Sequence, residues 1–245
     1  MLQTTPLQWS IWQQQLDITR LLLDRGASQD HINNIGWNTS FYCWPFADFR
    51  QRCMTDFLNV LVDDAVQDLD VTDTEGWTVL HRVAAYGTAE EVLALIRQGA
   101  DVQQVALPLC WNALHHAVFY GNESTFKALL PRFGDQIKSM TDERGWTLLH
   151  IAASAGHDAI VLELLKHGLD PNGLSTPFMS HMPESLFKRA CTPREVAAAQ
   201  SQEREERFLK AWWDSGVGGL ARDFHVDNDG DMFWEATEEV CLVPV

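Results

Sequence analysis

The sequence has few basic side chains: 18 Lys and Arg stand against 34 Asp and Glu in 245 residues, a formal net charge of -16. Such a charge repels phosphate backbones and anionic lipids, so neither nucleic acid nor a membrane is an expected partner. The five Cys residues are odd in number and widely scattered, which favours reduced thiols over a disulfide framework. The N-terminus lacks a leader pattern, and no apolar run approaches the ~18 residues of a membrane span. We therefore expect a soluble, cytoplasmic protein, with the nucleus as the alternative compartment.

Motifs for catalysis or cofactor binding are also missing. The glycine cluster SGVGG, at 215–219, lacks the GK[ST] of a phosphate-binding loop, and neither G-x-S-x-G nor H-E-x-x-H occurs. The run DNDGD, at 227–231, faintly resembles a calcium loop, but Gly230 precedes the third carboxylate of the run instead of following it. We expect a solvated acidic turn there, and neither a metal ion nor a cofactor.

What the chain does contain is a repeated unit, clearest from Asp73 to Asp101. An Asp, a Gly and a Thr open it, and the pattern then predicts an Ala-rich helix from Val79 to Tyr86 that a Gly ends. A second helix, rich in Val, Leu and Ile, follows before another Gly closes the unit. Because isolated helices below ~12 to 15 residues are marginal in water, this unit needs copies of itself to stack on.

The opening of this unit recurs six times, and the best copies identify the pattern. The start positions are Thr5, Asn38, Thr78, Asn112, Thr147 and Thr192. The copies from Asp73 and Asp142 contain T-x-L-H, an Ala pair and a closing G-x-D, which resembles the ankyrin repeat. The resemblance implies an all-α solenoid of stacked helix-turn-helix units, with projecting β-turn fingers and an irregular C-terminal tail.

The resemblance also divides the chain. Repeats are expected near 1–32, 33–72, 73–106, 107–141, 142–172 and 173–219. The acidic tail, 220–245, is expected to pack on the last repeats through Phe233 and Trp234.

Three copies depart from the pattern. The second runs into an aromatic segment, SFYCWPFADFRQRC, in which Pro45 should interrupt any helix. The fourth has Cys110 where other copies have Gly, so its turn must be built differently, and Pro131 should shorten its second helix. The sixth, from Thr192, is rich in charge, as a terminal repeat that faces water requires.

Three histidines share one register in their copies: His81, His115 and His150. Equivalent side chains of stacked helix pairs lie about 10 Å apart, too far to share a metal ion. The ankyrin resemblance implies a structural role instead, in which each imidazole hydrogen-bonds one turn to the next. His116 lies beside this register, where the neighbouring copies have Arg82 and Ile151.

A second register carries an indole directly before the start position. Its members are Trp37, Trp77, Trp111 and Trp146. The resemblance places this register on the partner-facing finger, and it places Tyr86, Phe119 and Tyr120 at the helix end that faces a concave groove. The alternative is that the four indoles stack as a ladder that stabilises the fingers without a ligand. The two interpretations are compatible.

Two functions fit these patterns. A rigid concave surface favours a module that binds another protein or a peptide. Its candidate contact residues are Trp37, Trp77, Trp111, Trp146, Tyr86, Phe119, Tyr120, Arg82, His116 and Glu75. The alternative is a small-molecule or non-redox enzymatic pocket in the same groove, covered by the 41–46 insertion and the tail. There His116 would serve as acid or base, and Arg82 would hold an anionic group.

Overall fold

The computed structural model describes residues 3–43, 56–57, 60–61, 68–177, 186, 189–215, 224–226 and 232–234. Within these ranges the chain forms ten α-helices and one pair of short strands. The helices are α1 (Pro6–Trp12), α2 (Leu16–Asp24), α3 (Val79–Tyr86), α4 (Ala89–Arg97), α5 (Ala113–Phe119), α6 (Glu123–Phe133), α7 (Leu148–Ala155), α8 (Asp158–Lys166), α9 (Pro193–Gln200) and α10 (Gln202–Asp214). The strands are β1 (Phe224–Val226) and β2 (Met232–Trp234), and 3₁₀ turns span Thr39–Cys43 and Gly134–Lys138.

The first helix of each pair begins where the repeat pattern predicts. Thr78 accepts the backbone N–H of His81, and Thr5 and Thr192 do the same for the third residue of α1 and α9. Asn112 accepts the N–H groups of two residues at the start of α5. These side chains satisfy donors that have no partner within the helix, so they fix each helix start.

The helix pairs stack in sequence order. Along one layer α3 packs on α5, α5 on α7, and α7 on α9; in the other layer α4 packs on α6 and α8 on α10. Small side chains allow the first layer to pack closely, and those fully buried there include Ala84, Ala117, Ala152 and Ala197. Each short helix is therefore stabilised by its neighbours, as an array of repeats requires.

Two local expectations can be compared with these elements. The second copy continues from Asn38 into the 3₁₀ turn Thr39–Cys43, whose residues are buried, while Pro45 lies outside the described residues. The expectation that Pro131 shortens the second helix of the fourth copy is wrong, because α6 continues to Phe133. Pro131 lies in the last turn of that helix, and Arg132 and Phe133 remain helical after it.

The C-terminal tail contains more regular structure than expected. Strands β1 and β2 pair antiparallel, with Phe224 opposite Trp234. Packing of the tail on the last repeats, and the acidic turn at 227–231, lie outside the described residues. Among the helices that the structure describes, none is both long and apolar enough to cross a membrane.

Candidate functional site

A short turn, which we call a finger, precedes the first helix of the second to fifth copies. The fingers span residues 33–37, 73–77, 106–111 and 142–146. In three of them an Asn or Asp at the base accepts, through Oδ1, the backbone N–H groups two and four residues further on. In the third copy, Asp73 accepts from Glu75 and Trp77, each at 2.9 Å. The Gly between those two residues has a positive φ, which closes the turn.

The finger of the fourth copy differs, as the sequence predicts. Ala106 replaces the basal carboxylate, one more residue is enclosed, and Ala106 pairs with Trp111 through two backbone hydrogen bonds of 2.8 and 3.1 Å. Cys110 nevertheless adopts a φ of 54°, in the region that Gly occupies in the other fingers. A side chain is therefore held in a left-handed conformation that costs about 1 to 2 kcal/mol.

Two of the three registered histidines connect turns, as the resemblance implies, whereas His115 makes no such bond among the described residues. His81 Nε2 bonds to Gln104 O at 2.9 Å, and His150 Nε2 bonds to Cys191 O at 2.8 Å. His115 bonds to its own cap, Asn112, but its Nε2 has no partner in the described part of the chain. Burial lowers the pKa of each of the three to about 4, so they are neutral at pH 7.

Two copies cap their first helix without histidine, and in the first of them the capping side chain also connects two turns; sequence reasoning missed both. In the first copy Gln8 caps Thr5 and donates to His31 O at 2.8 Å. In the last, Glu195 accepts the N–H of Thr192 at 2.8 Å. The signal was available, because Thr followed three residues later by Gln or Glu is a capping box.

Between successive fingers the indoles alternate with cationic or imidazole side chains. In spatial order this ladder consists of Trp37, Arg82, Trp77, His116, Trp111, Arg144 and Trp146. The Arg82 guanidinium carbon lies 4.7 Å from the Trp37 ring centre and 5.6 Å from that of Trp77. Arg144 lies 5.5 Å from Trp111 and 3.8 Å from Trp146. The indoles therefore do not stack directly on one another as predicted, because an Arg or His side chain lies between each successive pair.

Each arginine of the ladder is held by the carboxylate at the base of a finger. Arg82 pairs with Asp73, and Arg144 pairs with Asp142 through two nitrogens at 2.9 and 2.7 Å. Asp142 also accepts the indole N–H of Trp111 at 3.0 Å. Because these ion pairs are almost completely buried, the arginine charges are compensated inside the protein and are not presented to a ligand.

His116 occupies the middle of the ladder. Its ring centre lies 4.1 Å from that of Trp77 and 5.5 Å from that of Trp111. Only 2% of the residue is exposed, and neither ring nitrogen has a hydrogen-bond partner among the described residues. Burial, together with neighbouring His81, lowers the pKa of His116 well below its usual range. A neutral imidazole packed between two indoles is a structural element of the stack.

Burial corrects part of the predicted contact set. Trp37, Trp111 and Trp146 are only 3%, 7% and 2% exposed, so the expectation that they project towards a partner is wrong. Their rings are covered by the ladder because each finger packs against the next. Arg82 and His116 are buried for the same reason, whereas Glu75 is exposed on its finger.

The remaining predicted residues form one continuous surface, which we call the aromatic patch: Trp77, Tyr86, Phe119 and Tyr120. The rings of Tyr86 and Tyr120 meet edge to face with centres 4.9 Å apart, and Trp77 lies 5.9 Å from Tyr120. Phe119 is 38% exposed and contacts Tyr120 at 5.2 Å. Helix ends and one finger therefore bring together residues that two separate sequence registers had predicted.

A cavity of about 380 Å³ adjoins the patch at Phe119. We call it the Arg204 pocket. Its walls include Phe119, Trp146, Ser154, His157 and Arg204, which come from three helix pairs. Sequence reasoning missed Arg204, because α10 reaches α7 only through tertiary packing.

These helix pairs, capped in register and joined through fingers, define a helical repeat solenoid. A family model described as ankyrin repeats in three copies matches residues 50–140 and 108–175. The chain belongs to the ankyrin repeat family.

Curated relatives share the repeats. The B-cell lymphoma 3 protein homolog of Mus musculus is 29% identical over 69% of this chain and 37% of that protein. The human transient receptor potential cation channel subfamily A member 1 is 36% identical over 62% of this chain but 13% of the channel. The probable 26S proteasome regulatory subunit p28 of Saccharomyces cerevisiae is 30% identical over 67% of this chain and 71% of the subunit. The chain thus spans only a part of the first two.

Solved structures share the fold. One is a chain from the complex of the Bdellovibrio bacteriovorus predatory endopeptidase Bd0816 with immunity protein Bd3460, at TM-score 0.65 and 18% identity, covering 85% of this chain and 99% of that one. Another is the ankyrin repeat domain of Bcl-3, at TM-score 0.60 and 20% identity, covering 88% of each chain.

Proposed function

We propose that this chain is a protein-binding module and that the aromatic patch, on the concave side of the solenoid, contacts a protein or peptide. The observation that carries this proposal is the patch itself, in which four aromatic side chains remain partly exposed while the rest of the ladder that Trp77 belongs to is buried. Trp and Tyr dominate the energetics of protein interfaces, and clustered exposed aromatic side chains mark contact surfaces.

The family supports the same conclusion. Ankyrin repeat domains generally mediate protein–protein interactions, and one relative is by its name a subunit of a larger assembly, the 26S proteasome. The rigidity of the ladder also favours binding, because a surface that is already ordered loses little conformational entropy when a partner docks.

The test is to truncate patch residues that are not themselves members of the ladder. We expect Tyr120→Ala and Phe119→Ala each to weaken binding of a partner, captured from the native host and then purified, by about 2 kcal/mol. Trp9→Ala is the matched control, since Trp9 is 55% exposed but lies in α1. Circular dichroism should show that all three variants remain folded. If the two patch variants retain every partner at wild-type affinity, the patch is not the binding surface.

A small-molecule ligand in the same groove is the second candidate, and the Arg204 pocket is the observation that favours it. The roles first considered for His116 and Arg82 have little support, because both residues are buried and the Arg82 charge is paired with Asp73. Tryptophan fluorescence screened against small metabolites tests this candidate. A saturable shift in wild type that disappears in Phe119→Ala would favour it over a peptide partner.

A further inference from the structure

We propose that Arg204 binds a carboxylate of the partner, so that the partner segment carries one acidic group next to the apolar side chain that covers the aromatic patch. This inference rests on the proposed function. The Arg204 pocket, about 380 Å³ in volume, adjoins the patch at Phe119, so one short peptide segment can reach both.

The hydrogen bonds of Arg204 leave one edge of its guanidinium available. Its Nη1 donates to Ser154 O, and also to Gln200 Oε1 at 3.5 Å. The Nε–H and both Nη2–H groups have no acceptor among the described residues. Nε and Nη2 lie side by side on one edge, which is a geometry that binds the two oxygens of a carboxylate in parallel.

Among the described residues, the charge of Arg204 also has no counterion, in contrast to the charges of its neighbours. Arg144, on the opposite wall, is neutralised by Asp142, and Arg194 on α9 is paired with Glu205 at 2.7 Å. No carboxylate of the described residues forms an ion pair with Arg204. A half-buried cation without a counterion, at the wall of a cavity, is a site that an anion would stabilise.

A carboxylate suits the pocket better than a phosphate group. The site offers one positive charge that no carboxylate of the described part of the chain pairs with, which matches the single charge of a carboxylate, whereas a phosphate group carries nearly two. His157 Nε2 is already bonded to Phe119 O at 2.9 Å, so that nitrogen adds no donor for the ligand. Because the whole chain carries a formal charge of -16, the residues flanking this acid in the partner are expected to be neutral or basic.

The stem of Arg204 is held in place. Gly156 ends α7 in a left-handed conformation, and a Cβ there would lie 3.1 Å from Arg204 Cγ. The glycine thus allows the arginine stem to cross the end of the helix towards Ser154. The guanidinium is positioned before any ligand arrives, which favours affinity.

The test uses a random dodecapeptide library selected on the full chain. Peptides that depend on the patch, because Phe119→Ala or Tyr120→Ala weakens them, are synthesised with free and with amidated C-termini. We expect these peptides to contain one Asp or Glu beside an aromatic or aliphatic residue. Replacing that acid by its amide should weaken binding to the wild type by about tenfold or more. Loss of affinity on amidation alone would identify the C-terminal carboxylate as the source.

A substitution of Arg204 in the protein completes a double-mutant cycle with the acid-to-amide change in the peptide. Arg204→Gln should weaken the same peptides by a similar factor, and in that variant the acid-to-amide change should have less than about a twofold further effect. Arg207→Gln is the matched control, since Arg207 donates to Gly156 O at 3.3 Å from the same helix but is not part of the pocket wall. It should bind as wild type. If Arg204→Gln unfolds the chain, Arg204→Lys is the substitute variant. It keeps the charge but not the pair of parallel N–H donors, so it should give an intermediate loss of peptide affinity.

The outcomes separate this inference from the proposed function. Patch-dependent peptides that bind equally well with acid or amide would overturn the carboxylate site and leave the binding module intact. The carboxylate site is also overturned if the effects of Arg204→Gln and of the acid-to-amide change on binding are additive. A wild-type chain that selects no patch-dependent peptide would overturn both.

Discussion

Asp142 is the position at which a single substitution should most disturb the ladder. Its side chain is completely buried and accepts five hydrogen bonds. Oδ1 receives the backbone N–H groups of Arg144 and Trp146 at 2.8 and 3.0 Å, while Oδ2 receives two Arg144 nitrogens and the Trp111 indole. We predict that Asp142→Ala greatly lowers the free energy of unfolding.

The magnitude follows from what remains after the carboxylate is removed. The substitution leaves the Arg144 guanidinium buried between two indoles without its counterion, and breaking a buried ion pair in this way typically costs about 3 to 5 kcal/mol. Asp142→Asn should cost less, about 2 to 3 kcal/mol. An Asn can keep the two backbone bonds, as Asn33 does in the second copy, but it cannot neutralise the arginine.

Urea unfolding, followed by both tryptophan fluorescence and circular dichroism, measures the effect. Coincident curves from the two probes are needed before free energies are compared. Glu123→Gln is the control, because Glu123 pairs with Lys127 at 3.4 Å on the surface, where such a pair contributes about 0 to 1 kcal/mol. In the double variant with Arg144→Ala, the total loss should be smaller than the sum of the two single losses.

The reasoning fails if Asp142→Ala is no more harmful than Glu123→Gln. It also fails if the effects of the Asp142 and Arg144 substitutions are additive. In either case the carboxylate would not be what holds the arginine in the ladder.

Two further predictions concern the buried imidazoles and the fourth finger. The histidines with a pKa near 4 are His81, His115 and His150. Unfolded histidine takes up a proton below about pH 6.5, so the stability they confer is complete above that pH. This stability falls by about 1.4 kcal/mol per histidine per pH unit as pH falls towards 4. Equal free energies of unfolding at pH 7.5 and 5.5 would contradict this. His150→Gln should make the dependence of stability on pH less steep. Cys110→Gly should raise stability by about 1 kcal/mol, measured by thermal melting, because it relieves the positive φ. Gly36→Ala should lower stability, since the φ of Gly36 is also positive and a Cβ there would lie 2.8 Å from Asp73 Cα. A Cys110→Gly variant that melts no higher than wild type would refute the argument.

Local patterns were enough to predict the helix starts. Thr78 caps α3 because its hydroxyl is the nearest acceptor for an N–H that has no partner in the helix, and this depends only on neighbours in sequence. The same local logic predicted the helix from Val79 to Tyr86 with the bounds observed. It failed at Pro131 because a proline removes one backbone hydrogen bond to the preceding turn and can kink a helix without ending it.

The composition of the ladder could not be predicted in this way. Arg82 reaches its place from α3, but Arg144 reaches the equivalent place from a finger, where the third copy has the exposed Glu75. Aligning the copies therefore gives no register in which the two arginines correspond. Their equivalence exists only after the copies are stacked.

The sequence by itself determined the repeat, its helix pairs and the Trp register, because capping and helical periodicity act over a few residues. Tertiary structure decided which of those aromatic residues remain accessible. Trp77 and Trp111 hold the same register, yet Trp111 is buried beneath Arg144 and bonded to Asp142, while Trp77 keeps an exposed face in the patch. Burial depends on what the neighbouring copies place opposite a side chain. For the same physical reason, Arg204 comes to adjoin Phe119 only when α10 packs against the end of α7.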